Sequence, residues 1–237
     1  MPWTRTTAPR ASAPVRLFCF PHAGGSPLFF RGWAAALDGT ELYTVCYPGR
    51  AERLGEEPSR DLRAMARRIG EEIAAQDDGR RVVLFGHSMG ALVAYETAAD
   101  LQERGAPVAG LVVSGARAPH LPRADAPEGP EGALRTLAEL GGTDPELLAD
   151  PGFRELILPA LTADFAMLGD YRQPDRPPLS CPVTALVGDS DPRVAPEQAA
   201  AWQEATRGEF RLRTVAGGHF YLAAEPPFDV LRDGCRV

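Results

Sequence analysis

Between Arg81 and Arg104 the chain passes from the apolar run Arg81-Val82-Val83-Leu84-Phe85, through Gly86-His87-Ser88-Met89-Gly90, straight into a small-residue segment, Ala91 to Arg104. A buried strand that becomes a helix within five residues leaves few architectures open, because an unbroken apolar strand needs cover on both faces. The rest of the chain repeats the theme. Arg16–Phe20, Leu42–Cys46, Gly110–Ser114, Val183–Val187 and Phe210–Val215 read as further strands. Helical spacing is predicted over Leu28–Leu37, Asp61–Ala75 and Pro196–Thr206, with a short helix near the end. On Asp61–Ala75 the side chains of Leu62, Met65, Ile69 and Ile73 share one face. Such alternation predicts an α/β fold, a mostly parallel sheet with helices on both sides.

One interval breaks the alternation. From Ser114 to Val183 no strand pattern occurs, a gap far longer than a normal crossover. Its first part, Ala118–Pro130, is rich in Pro and Gly; its second places Leu134, Leu137, Leu140, Leu147, Leu148, Phe153, Leu156, Ile157, Leu161, Phe165 and Leu168 at helical intervals. A helical lid inserted over about residues 118–170 is expected. No linker divides the rest, so 15–237 is expected to form a single domain behind a flexible tail, 1–14.

Composition excludes more than it suggests. The 237 residues carry a net charge of -7, the wrong sign for a nucleic-acid partner. Every one of the 25 basic residues is Arg, and the chain has neither Lys nor Asn. A Walker lysine, a pyridoxal Schiff base, a Ser-x-x-Lys pair and a catalytic Asn are therefore ruled out. Cys19, Cys46, Cys181 and Cys235 are scattered, mostly beside apolar runs, and read as reduced structural thiols. No His or Cys pair has metal-ligand spacing. The absence of a long apolar stretch or a signal-like start predicts a cytoplasmic protein with no membrane partner.

Gly-x-Ser-x-Gly alone is a common structural turn, but between a strand and a helix it has the context of a nucleophile elbow. Ser88 would stand at the carboxyl edge of the sheet, with the Met89 N–H at the helix start aimed at developing negative charge. A serine hydroxyl also needs a base and an acid that orients the base, in the chain order Ser, Asp, His. The strand Val183–Val187 ends in Gly188-Asp189-Ser190-Asp191-Pro192, and Phe210–Val215 ends in Ala216-Gly217-Gly218-His219. Asp191 is expected to act on His219, leaving Asp189 to satisfy loop amides. The glycines of Pro21-His22-Ala23-Gly24-Gly25-Ser26 let backbone approach a tetrahedral intermediate, and the Ala23 N–H is expected as the second oxyanion donor.

Taken together, Phe20-Pro21-His22-Ala23-Gly24-Gly25-Ser26, Tyr47-Pro48-Gly49-Arg50, Phe85-Gly86-His87-Ser88-Met89-Gly90-Ala91, Asp164-Phe165 with Tyr171, the loop of Asp191 and Gly218-His219-Phe220 resemble the type II thioesterases of polyketide and nonribosomal peptide synthesis. The resemblance implies an α/β-hydrolase fold, with Ser88, Asp191 and His219 as triad and Met89 and Ala23 as oxyanion amides. It implies no cofactor of the enzyme's own. It further implies removal of acyl groups from the phosphopantetheine arm of acyl or peptidyl carrier proteins, by a monomer. Related domains fused to synthase ends often place the acid after the strand equivalent to Leu111–Ser114, where Ser114-Gly115-Ala116 has no carboxylate. Arg50, Arg53, Arg117 and Arg123 flank the expected mouth and are the local positive charges available to an acidic carrier. A carboxylesterase, an acyltransferase or cyclase, and a binding protein with a degenerate triad are the competing readings.

Overall fold

A computed structural model describes residues 1–122 and 127–235 of the chain. Among the described residues seven strands form one sheet: β1 (Thr4–Arg5), β2 (Val15–Phe20), β3 (Thr40–Val45), β4 (Arg81–His87), β5 (Gly110–Ser114), β6 (Val183–Gly188) and β7 (Phe210–Val215). Their spatial order is β1-β3-β2-β4-β5-β6-β7, and all neighbours run parallel except β1 against β3.

Alternation along the strands explains why the apolar runs are continuous. Val15, Leu17 and Cys19 of β2, Val83 and Phe85 of β4 and Val112 of β5 point into one layer, with Trp33, Leu37, Val230 and Leu231. Phe18, Phe20, Leu84, Leu111 and Val113, one position out of phase, enter the other. Helices α1 (Trp33–Ala36) and α8 (Phe228–Gly234) cover the first face. The second is covered by α2 (Leu62–Ala75) and α3 (Met89–Glu103). Helix α2 begins where the Asp61 carboxylate accepts from the Arg63 and Ala64 N–H groups, and it buries Leu62, Met65, Ile69 and Ile73 as the spacing predicts. A Cβ at Gly70 would overlap the Asp100 carboxylate of α3, so the two helices can approach closely there.

The interval after β5 is filled by α4 (Gly129–Leu140), α5 (Pro145–Ala149) and α6 (Pro151–Asp170). Asp150 caps α6, accepting from Phe153 N–H at 2.6 Å. Helix α7 (Pro196–Ala200) and a 3-10 segment, Ala201–Ala205, lead into β7.

Two expectations are corrected. The predicted helix Leu28–Leu37 is interrupted: a 3-10 turn, Pro27–Phe30, and the single turn α1 are separated by Gly32 at φ 87°, a left-handed conformation that no helix accommodates. The first residues, expected as a flexible tail, contribute β1 to the sheet edge. Trp3 and Thr4 N–H donate to the Glu72 carboxylate at 2.7 and 2.8 Å, the Thr4 hydroxyl at 2.6 Å, and Arg53 lies 3.8 Å over the Trp3 ring. Tertiary partners on α2 and beyond β3 thus order a segment whose own composition favours no structure. Replacing Glu72 by Ala is expected to lower stability by about 1–3 kcal/mol and to abolish the hydrogen-exchange protection of the Thr4 amide; an unchanged exchange rate would mean that β1 is held by other contacts.

Candidate active site

Ser88 has φ 55° and ψ -118°, a conformation costing about 1–3 kcal/mol for a residue with a side chain. Its neighbours show what maintains it. A Cβ at Gly86 would overlap the Gly90 carbonyl, and one at Gly90 would overlap the carbonyl of Phe20 and lie 2.6 Å from that of Pro21. The turn is therefore pressed both into itself and against the end of β2. Ser88 N–H donates to the Ser114 carbonyl at 2.8 Å, and the Ser88 carbonyl accepts from Ala91 N–H at 3.0 Å. The start of α3 follows immediately, so the partial positive charge of the helix end lies beneath the serine.

The two aspartates of the β6 loop part company. Asp191 Oδ2 lies 2.8 Å from His219 Nδ1, while its Oδ1 accepts from Arg193 and Val194 N–H at 2.8 and 3.3 Å. Both side chains of the pair are covered, 3% exposed for His219 and 0% for Asp191. An ionised carboxylate only accepts, so Nδ1 carries the hydrogen and Nε2 is left as the basic nitrogen. Asp189 faces elsewhere, accepting from the Ser190 hydroxyl at 2.7 Å and Gly217 N–H at 2.9 Å. Those bonds hold its carboxyl below the usual carboxylate range. The β6 and β7 loops meet with no side chain between them: a Cβ at Gly188 would overlap the Gly217 carbonyl.

Ser88, Met89 and His219 line one cavity, whose apolar wall is Leu92, Leu140, Phe165, Leu168 and Val194. Arg117 and Arg193 stand at its side. Leu140 comes from α4 and Phe165 and Leu168 from α6, so the inserted helices supply much of the wall. Ala23, buried at 7% exposure, sits in the loop that Gly90 brings against the elbow.

Two further imidazoles cluster here, His87 against the His219 ring and His22 against His87. His87, opposite Ser114 in the β4–β5 register, shares a 3.0 Å hydrogen bond between its Nδ1 and Ser114 Oγ, which in turn lies 2.8 Å from the Tyr221 hydroxyl. Its ring centre is 5.0 Å from that of His219. His22 stands edge-on to Phe29 and Phe220, each at 4.7 Å. Burial, with the neighbouring imidazoles, pushes both pKa values down, that of His22 to about 3. Both rings are therefore neutral near pH 7. Among the described residues no group of three or more His, Cys, Asp or Glu side chains is arranged to hold a metal ion.

Of the expected arginines, Arg50 and Arg53 do not flank the mouth. Arg50 is buried against Asp164 at 2.6 and 2.9 Å, and Arg53 is buried against Glu56 and Trp3. Each is turned inward because a carboxylate or a ring fits its planar fork there. Arg117 is half-buried, donating to the carbonyls of Pro122 and Arg193; Arg123 lies outside the described residues. The Arg50–Asp164 contact was not anticipated from the sequence. Its only trace there is the pair of segments Tyr47-Pro48-Gly49-Arg50 and Asp164-Phe165, which spacing alone does not bring together.

Residues 15–233 match the family described as Thioesterase domain. A probable cadicidin biosynthesis thioesterase of Streptomyces griseus is 39% identical over 223 residues, covering 93% of this chain and 62% of the relative. The thioesterase PikA5 of Streptomyces venezuelae is 38% identical, covering 93% of this chain and 80% of its own. Among solved structures, the type II thioesterase BorB of the borrelidin biosynthetic cluster superposes with a TM-score of 0.90 at 36% identity, covering 99% of this chain and 98% of that one.

Two measurements follow from the site. Reaction of Ser88 with a fluorophosphonate is expected to slow by on the order of 10³-fold or more in Asp191→Asn, which misdirects the imidazole, and less than about threefold in Asp189→Asn; equal losses would mean that the loop, not the pair, matters. The second concerns pH. Unfolded imidazole takes up a proton near pH 6.5 but folded His22 only near pH 3, so the unfolded state binds more protons in that window and stability falls as pH drops through it. Melting temperatures from pH 7 to 4 are expected to decline less steeply in His22→Gln; identical slopes would mean that His22 is charged in the folded protein.

Proposed function

The chain belongs to the thioesterase family, and we propose that it is a serine thioesterase hydrolysing acyl groups from the phosphopantetheine arm of carrier proteins. In this reading it clears stalled or incorrect acyl groups from a polyketide or nonribosomal peptide synthase. The observation that carries the proposal is the hydrogen-bonded His219–Asp191 pair beside the cavity of a serine held at positive φ. The resemblance to BorB and to the cadicidin and PikA5 thioesterases supports the substrate class.

His219 Nε2 takes the Ser88 proton as Oγ attacks the thioester carbonyl; the Met89 and Ala23 N–H groups stabilise the oxyanion. Collapse expels the pantetheine sulfur, which takes the proton from His219 and leaves as the thiol, so that the imidazole is neutral again. A thiol of pKa ~8.5 leaves readily, so protonation by His219 at this step matters less than it would for an alcohol. Water, deprotonated by His219, then attacks the acyl-enzyme through a second oxyanion, and Ser88 is restored. Asp191 keeps the imidazole in the tautomer that both steps need and stabilises its charged form. Only protein groups and water take part, the phosphopantetheine arriving with the substrate. The apolar wall of Leu92, Leu140, Phe165 and Leu168 suits the acyl chain. We place the enzyme in the cytoplasm as a monomer beside its synthase.

Comparing kcat/KM on acyl carrier proteins, acyl-CoA and p-nitrophenyl esters tests the assignment. Carrier-bound thioesters are expected to lead, and Ser88→Ala to cost on the order of 10⁴-fold or more. Preference for the esters would assign a carboxylesterase, and transfer to an added alcohol or amine an acyltransferase.

A further inference from the structure

We propose that the buried Arg50–Asp164 pair is a positioning device, fastening the loop of the Ala23 amide to α6, the helix that walls the cavity. The proposal rests on the thioesterase reading only in taking Ala23 N–H as an oxyanion donor.

Asp164 stands on α6 and is 1% exposed. Its Oδ2 accepts from Gly24 N–H at 2.8 Å and from Arg50 Nη1 at 2.6 Å, and its Oδ1 from Arg50 Nη2 at 2.9 Å. Arg50 closes the circuit by donating to the Gly25 carbonyl at 3.4 Å and, through Nε, to the Pro48 carbonyl at 3.3 Å. Its guanidinium lies 5.2 Å from the centre of the Tyr47 ring, whose hydroxyl donates to the Pro21 carbonyl at 3.1 Å. The loop is thus held at Pro21, Gly24 and Gly25, on both sides of Ala23. One turn earlier on the same helix, Leu161 packs so closely that a Cβ at Gly24 would lie 2.8 Å from its Cδ1. Phe165 and Leu168 of α6 meanwhile face the cavity. One helix therefore touches the oxyanion loop with Leu161 and Asp164 and the acyl cavity with Phe165 and Leu168.

Stability alone gives weak reason for such a pair. Two well-packed apolar side chains in place of a buried ion pair are often neutral or stabilising, whereas one orphaned charge is strongly destabilising. What an apolar replacement cannot supply is direction: the shared carboxylate sets where the Gly24 peptide, and with it the Ala23 amide, points. A displacement of α6 by the acyl chain would travel to that amide through the same bonds, so cavity wall and oxyanion donor hold or move together.

The double variant Arg50→Met/Asp164→Leu separates positioning from stability, since it removes both charges. Melting temperature, kcat and KM on an acyl carrier thioester, and the rate of Ser88 phosphonylation are measured. The variant is expected to melt near the wild-type temperature, to lose on the order of 10²-fold in kcat and in labelling rate, and to keep KM within about threefold. Wild-type kcat in a variant of wild-type stability overturns the proposal. Should the double variant not fold, Asp164→Asn serves instead: it retains an acceptor for Gly24 but weakens the fork, and about a tenfold loss in labelling is expected, an unchanged rate overturning the idea. A wild-type protein that labels with fluorophosphonate but turns over no carrier thioester would count against the functional reading alone, leaving the labelling comparison to decide this one.

Discussion

The contact on which the site depends is between backbones. At Gly90 the first turn of α3 lies against the carbonyls of Phe20 and Pro21 so closely that a single methyl group would not fit. That approach joins the end of β2 to the end of β4, two strands already paired in register from Val15–Arg81 to Phe20–Gly86. It sets the Met89 and Ala23 amides in neighbouring segments and confines Ser88 to its left-handed conformation. Packing on both faces of the sheet stabilises enough structure to hold this local strain, as strained residues at functional sites require.

Charge is handled with equal economy. In a chain whose cations are all Arg, several are interior: Arg16, Arg50 and Arg53 are each 6% exposed or less. A guanidinium stays charged, offers five donors in a plane and stacks on rings, so it can be buried where an ammonium would lose its hydration without replacement. Arg53 uses all of these, pairing with Glu56, donating to the Cys46 carbonyl and lying over Trp3. The imidazoles are treated in the opposite way. His22 and His87 are enclosed and neutral, and among the described residues only His219 of the three clustered rings faces a carboxylate through a ring nitrogen.

How much of this was legible beforehand differs by feature. The central strands β2, β4, β5 and β6 could be read to within two residues, because a strand buried on both faces must be largely apolar, as Val82 to Phe85 and Leu17 to Phe20 are. The elbow was legible because its glycines and serine are adjacent in the chain. Asp191 was separable from Asp189 by its distance from Gly188, and the structure pairs it with His219. The broken helix at Gly32 and the edge strand Thr4–Arg5 were not legible. A glycine within a helical pattern does not announce its φ, and a two-residue strand exists only because Glu72 and β3 receive it.

The sequence by itself determined the mostly parallel sheet and the helical insertion, and it offered Ser88, Asp191 and His219 as candidates, since the sheet and insertion follow a repeating pattern and each candidate sits in a short motif at a strand end. Tertiary structure alone decided which way the arginines turn. Arg50 and Asp164 lie 114 positions apart, and whether a guanidinium meets an acidic partner at the mouth or a buried carboxylate on α6 depends on where the inserted helices settle over the sheet. No local pattern records that packing, because the energy that selects it is shared among side chains drawn from the whole length of the chain.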